Sequence, residues 1–192
     1  MIEHKTNACR LIPVPGEVEA RVSTTIVLMG VSGVGKSSVA AALEQALGWP
    51  FAEGDDFHPA ANVAKMHAGI PLDDADRQPW LAAVAGWIGT EEAAGRNGIV
   101  TCSALKTAYR DTLRQGHPSV WFADLTAPPA VIESRLDHRV GHFMPASLLG
   151  SQLAALEPLR ADEPGAVVDA TGTPAETAAA IEALLRRDGR LA

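Results

Sequence analysis

The 192-residue chain has few lysines: Lys5, Lys36, Lys65 and Lys106 stand against 23 acidic residues, and the formal net charge is −7. Such a balance argues against a general nucleic-acid binder, which presents a basic face. It also makes the position of each lysine informative. Cysteine is scarcer still. Cys9 and Cys102 are too few for a disulfide framework, and Cys102, set in an apolar run, reads as a small buried side chain. No run approaches the roughly 20 apolar residues of a membrane span. Residues 1–21 carry Glu3, His4, Lys5 and Arg10 and lack the apolar stretch of a signal peptide. The expectation is therefore a cytoplasmic protein, with neither a membrane nor nucleic acid among its partners. No internal repeat or heptad pattern is present, and glycine and proline are spread too evenly to mark an interdomain linker.

What is present is enough apolar material, 47% of residues, for one well-formed core in a chain of single-domain length. Residues 1–23 read as an irregular extension, and 24–192 as one domain. Within it, short β-branched runs alternate with helical spacing. Strands are expected at Thr24–Met29, Pro50–Glu53, Ile99–Ser103, Ser119–Leu125 and Ala166–Asp169. Helices are expected at Ser38–Leu47, Ala60–His67, Asp76–Glu92, Lys106–Arg114, Pro129–Arg139, Pro145–Leu156 and Pro174–Arg187. Trp80, Leu81, Val84, Trp87 and Ile88 fall on one face of the third helix. Strand–helix alternation throughout predicts an α/β fold with a parallel sheet covered on both faces.

Between the first strand and first helix stands Gly30-Val31-Ser32-Gly33-Val34-Gly35-Lys36-Ser37, a full match to G-x-x-x-x-G-K-[ST]. Its glycines let backbone N–H groups turn toward phosphate oxygens with no side chain in the way. Lys36 can reach the β- and γ-phosphates, and the Ser37 hydroxyl can hold Mg²⁺. Ser38 follows at the helix start, whose positive end faces the same anion. A chance match would arise in roughly one chain in a hundred of this length, and the strand–loop–helix context lowers that further. The loop implies a nucleoside triphosphate with Mg²⁺, not a particular reaction. A GTPase switch is disfavoured. Asn-Lys-x-Asp is absent, and the one Asp-x-x-Gly, Asp169 to Gly172, lies far downstream, where a turn or a loop beside the base fits equally.

A phosphoryl acceptor needs a group to orient and deprotonate its hydroxyl, and cations for the moving phosphoryl. Asp55 follows the second strand, at the crevice where α/β sheets bind ligands. It is the candidate base, with Asp56 its local rival. Capping of the next helix explains the pair equally well. Arg77 and Lys65 sit around the Asp73-Asp74-Ala75-Asp76 cluster, which complements a helix dipole. Lys106 opens a helix, where the dipole disfavours a cation, so an anionic ligand would account for it. Arg110 lies one turn on, on the same face. Arg135 and Arg139 leave a helix for a glycine-containing loop that could close over phosphates.

Taken together, GVSGVGKSSVA (30–40), EGDDFHP (53–59), NVAKMHAGIPLDDADRQPWL (62–81), CSALKTAYRDTLR (102–114), ESRLDHRVGHFMP (133–145) and SQLAALEPL (151–159) with Asp162-Glu163 resemble the gluconate kinase family, in the family's order. The resemblance implies a three-layer P-loop kinase of the adenylate and shikimate kinase type, with a five-stranded parallel core sheet and a mobile lid around 136–148. It implies ATP-dependent phosphorylation of D-gluconate to 6-phosphogluconate, commonly in a homodimer. Carried over by position, Asp55 becomes the expected base and Arg139, with Arg135, the lid cation. His58, Arg77, Lys106, Arg110 and His142 become the expected sugar-acid pocket. A related kinase such as one for shikimate is the nearest alternative, and a non-catalytic nucleotide-binding module a more distant one.

Overall fold

The structure, a computed structural model, describes residues 23–137 and 149–192. Its frame is one sheet of five parallel strands: β1 (Thr25–Met29), β2 (Phe51–Ala52), β3 (Gly98–Thr101), β4 (Val120–Thr126) and β5 (Gly165–Asp169). Their spatial order is β2-β3-β1-β4-β5. The helices between them are α1 (Lys36–Leu47), α2 (Ala60–His67), α3 (Asp74–Ala93), α4 (Thr107–Arg114), α5 (Pro129–Asp137), α6 (Leu149–Ala155) and α7 (Pro174–Arg187). The expected α/β class, strand count and parallel order are all present.

β1 is central and buried along its whole length, which is why its sequence is an unbroken apolar run rather than an alternation. Its side chains still divide between faces with the period of two. Ile26 and Leu28 join Val39, Leu43, Trp121, Ile181 and Leu185 in one core. Val27 and Met29 join Trp80, Leu81, Val84, Ile88 and Phe122 in the other. The result is three layers, and both cores end at the same rim, the C-terminal ends of the strands.

Where elements begin and end differs from expectation for local reasons. α1 starts at Lys36, two residues early, because the phosphate loop runs directly into it. α3 starts at Asp74, since Asp73 and Asp76 form a reciprocal capping box that fixes the first turn. β2 shrinks to two residues, followed by an unforeseen 3₁₀ turn at Gly54–Phe57. That turn crosses hard against β3. A Cβ on Gly54 would lie 1.8 Å from the Thr101 carbonyl oxygen, a backbone contact that cannot yield. Gly54 N–H donates to Thr101 Oγ1 at 2.9 Å, and Trp80 Nε1 donates to the Gly54 carbonyl at 2.7 Å. Asp55 is thereby pinned to the rim of the sheet.

Candidate active site

A cavity of about 710 Å³ opens at that rim, floored by Ser32–Ser38. Gly35 reaches φ 113° immediately before α1, a conformation a side-chain-bearing residue rarely adopts. It turns the loop so that the helix N-terminus points into the cavity. Gly30 and Val31 lie beneath, and their carbonyls accept from Lys36 Nζ at 2.9 and 3.0 Å. Lys36 is thus folded over the loop it serves. Gly33, Val34, Ser37 and Ser38 complete the floor.

Two side chains brace the loop from outside. Arg135 on α5 donates to the Val34 carbonyl at 2.8 Å and to the Ala170 carbonyl at 2.8 Å. It thereby joins the phosphate loop to the turn after β5. The Gln152 side-chain carbonyl on α6 accepts from Ser32 N–H at 2.7 Å. The Asp169–Gly172 turn therefore borders the cavity, with Ala170, Gly172 and Pro174 in its wall.

The opposite wall carries Asp55, Asp56, His58, Arg77 and Trp80. Asp55 stays largely open, its side chain 64% exposed, and lies 4.0 Å from His58. His58 is stacked on Trp80, ring centroids 4.4 Å apart and 11° from parallel. Burial lowers the pKa of His58, the Asp55 carboxylate opposes that, and the Arg77 guanidinium reinforces it. Neutral imidazole is the form this environment favours at neutral pH. Arg77 rests 5.8 Å from the centroid of the Tyr109 ring. Its guanidinium makes no hydrogen bond or close ion pair among the described residues, although the Asp74 carboxylate lies within electrostatic reach.

Other expected pocket residues lie elsewhere. Arg110 is fully buried, in a fork on Glu163 at 2.6 and 2.9 Å, with further bonds to the carbonyls of Glu157 and Pro158. It anchors the chain returning from α6 and cannot reach a ligand. Lys106 is spent on Asp74, at 2.7 and 2.9 Å. The anion that explains a lysine at this helix start is a carboxylate of the protein itself. Lys65 is likewise paired with Asp76 at 2.5 and 2.7 Å. Cys102 is buried as expected, its thiol pushed up to about 12 by burial. Arg139 and His142, with nearly all of the expected lid, lie outside the described residues.

Sequence reasoning missed several wall residues. Glu53 accepts from the Thr101 hydroxyl, and both border the cavity with Ser103, Gln152 and Thr177. Glu53 and Ser103 sat inside quoted motifs without a role. For metal, no group of three His, Cys, Asp or Glu side chains is placed to hold an ion among the described residues. The fit is instead that of a cation carried by phosphates, with the Ser37 hydroxyl on the cavity floor supplying a hard oxygen.

No family model matches the chain. A gluconokinase of Gluconobacter oxydans (strain 621H) is 51% identical over 139 residues, covering 72% of this chain and 78% of that protein. A sugar kinase structure from Janibacter sp. HTCC2649 superposes with a TM-score of 0.81 at 48% identity, covering 85% of this chain and 95% of that one. A gluconokinase structure from Sinorhizobium meliloti 1021 gives 0.76 at 46% identity, covering 87% and 94%. With a complete phosphate loop facing a carboxylate and an arginine across one cavity, and identity at this level over most of both sequences, the chain belongs to the gluconokinase family.

Proposed function

We propose that this protein transfers the γ-phosphoryl group of ATP to the 6-hydroxyl of D-gluconate. The observation that carries the reading is that one cavity holds a complete phosphate loop on its floor and an open Asp55 and unpaired Arg77 on the facing wall. Donor and acceptor can meet there without rearranging the sheet.

In this reading the backbone N–H groups of Gly33–Ser38 and the N-terminus of α1 hold the β- and γ-phosphates. Lys36 leaves the carbonyls of Gly30 and Val31 for the phosphate oxygens, exchanging two neutral acceptors for charged ones. Ser37 would hold Mg²⁺, which when bound neutralises charge on the phosphate oxygens. The nucleoside end extends along Arg135 and the Ala170–Pro174 wall. Asp55 accepts the proton of the attacking hydroxyl, and its exposure keeps it available to solvent and acceptor alike. Arg77 pairs with the acceptor carboxylate, and neutral His58, held flat on Trp80, offers a ring nitrogen to an acceptor hydroxyl. Arg139 and His142, a homodimer and a cytoplasmic location belong to the same proposal on the family resemblance alone.

The experiment is ADP release by the purified protein with Mg²⁺ and ATP, comparing D-gluconate with shikimate and a panel of sugars and hydroxy acids. The proposal expects strong stimulation by D-gluconate alone. Stimulation by shikimate would keep the kinase and discard the acceptor. No stimulation from protein that binds ATP would bring the non-catalytic module forward.

A further inference from the structure

Arg77 is a long, rotamer-rich side chain at the cavity wall whose guanidinium makes no close ion pair among the described residues. The Asp74 carboxylate attracts it only at longer range, so another contact is needed to fix where its charge sits. Tyr109, the single tyrosine of the chain, is placed to do so. It is 4% exposed on α4, and two cations lie over its ring, the Arg77 guanidinium at 5.8 Å and Lys106 Nζ at 5.5 Å from the centroid. The ring is itself tied down. Its hydroxyl donates to Asp74 Oδ1, and Asp74 is held in turn by Lys106 Nζ at 2.7 and 2.9 Å. Asp74 and Arg77 stand one turn apart on α3, so a single side chain of α4 is gripped at its hydroxyl by one and covered on its face by the other.

We propose that Tyr109 is a positioning residue for the acceptor, holding the Arg77 guanidinium on its ring face toward the acceptor's carboxylate, while Asp74 and Lys106 fix the ring. Tyr109 does not touch the acceptor; its effect passes through Arg77. The inference rests on Arg77 being the carboxylate-binding cation of the reading above. A cation over an aromatic face gains modest energy, so the loss expected on removing the ring is modest too.

The test is steady-state kinetics of Tyr109→Leu, Tyr109→Phe, Arg77→Gln and the Arg77→Gln/Tyr109→Leu double variant in the full chain, varying D-gluconate and ATP separately. Tyr109→Leu is expected to raise KM for D-gluconate roughly threefold to tenfold, with KM for ATP unchanged. Tyr109→Phe keeps the ring face but loses the hydroxyl's tie to Asp74, so its KM for D-gluconate should rise by less than that of Tyr109→Leu. In the Arg77→Gln background, Tyr109→Leu should add nothing. A Leu variant that raises KM for D-gluconate as strongly in that background would overturn the proposal. So would a Phe variant as impaired as Arg77→Gln, a result readable even if the Leu variant does not fold. If Arg77→Gln itself leaves KM for D-gluconate unchanged, the underlying assignment of Arg77 fails, an outcome distinct from either of these.

Discussion

Asp124 lies near the end of β4, 3% exposed, with Oδ1 bonded to nothing among the described residues. It neighbours the Arg110–Glu163 pair but gains little from it, because the Arg110 guanidinium is already committed to Glu163. Burial therefore dominates and pushes the Asp124 carboxyl from its ordinary 3.8 to about 6; Arg110 pulls it down, and Glu163 pushes it further up. The folded state thus holds this proton more tightly than the unfolded chain. The contribution of this one group to stability is greatest below pH 4, falls as pH rises between about 4 and 6, and is flat above, where both states are ionised. At about 1.4 kcal/mol for each tenfold, the whole loss comes to roughly 3 kcal/mol. Asp124→Asn removes the ionisation but leaves the shape. Linkage gives it an advantage of roughly 3 kcal/mol at pH 7.5 and about half of that at pH 5, before any cost of the new amide. That cost is the same at both pH values and cancels in the difference, which is on the order of 1 kcal/mol. In melting temperature the difference is a few degrees for a chain of this size. Thermal or urea unfolding of parent and variant at the two pH values measures it. An equal effect at both, or a larger gain at pH 5, would refute a buried, ionisable Asp124.

Other perturbations separate binding from architecture. Lys36→Ala should lower kcat by roughly 100-fold or more, checked by ADP release at saturating substrates; a near-normal rate removes the phosphate loop from the chemistry. Arg110→Ala strands the Glu163 carboxylate in a buried site, costing about 3–5 kcal/mol. Calorimetry should show a large drop in melting temperature, while KM for D-gluconate of the folded enzyme stays unchanged. Gly54→Ala drives a methyl into the Thr101 carbonyl; the turn must shift, so activity and melting temperature should both fall, whereas Gly86→Ala, inside α3 with open space around it, should keep full activity.

The parts of the fold written in local chemistry were readable. A short β-branched and apolar run ending in glycine was legible as a buried parallel strand, and Gly48 does stop α1, its N–H turned back to the Glu44 carbonyl. The phosphate loop was readable because its function is carried by consecutive backbone groups. Pairings between distant residues were not. Arg110 meets Glu163 across 53 positions, and Lys106 meets Asp74 across 32. Each looked, from its own helix, like a cation awaiting a ligand. Arg77 had the same appearance and is the one of the three that makes no close ion pair among the described residues. What separates them is tertiary packing: which carboxylates a neighbouring element brings within reach. Gln152 was overlooked for the same reason. Its contact with Ser32 spans 120 positions, and a glutamine on a short helix gives no local sign of reaching a phosphate loop.

The central claim is that Asp55, pinned at the sheet rim by Gly54 and Trp80, is the base facing the phosphate loop. Its most direct test is kcat for D-gluconate in Asp55→Asn beside Asp56→Asn, with ATP binding measured on both. A loss of about 100-fold or more is expected in the first, with retained ATP binding in both and near-parent turnover in the second. Near-parent turnover in Asp55→Asn, or the loss appearing in Asp56→Asn instead, would contradict it.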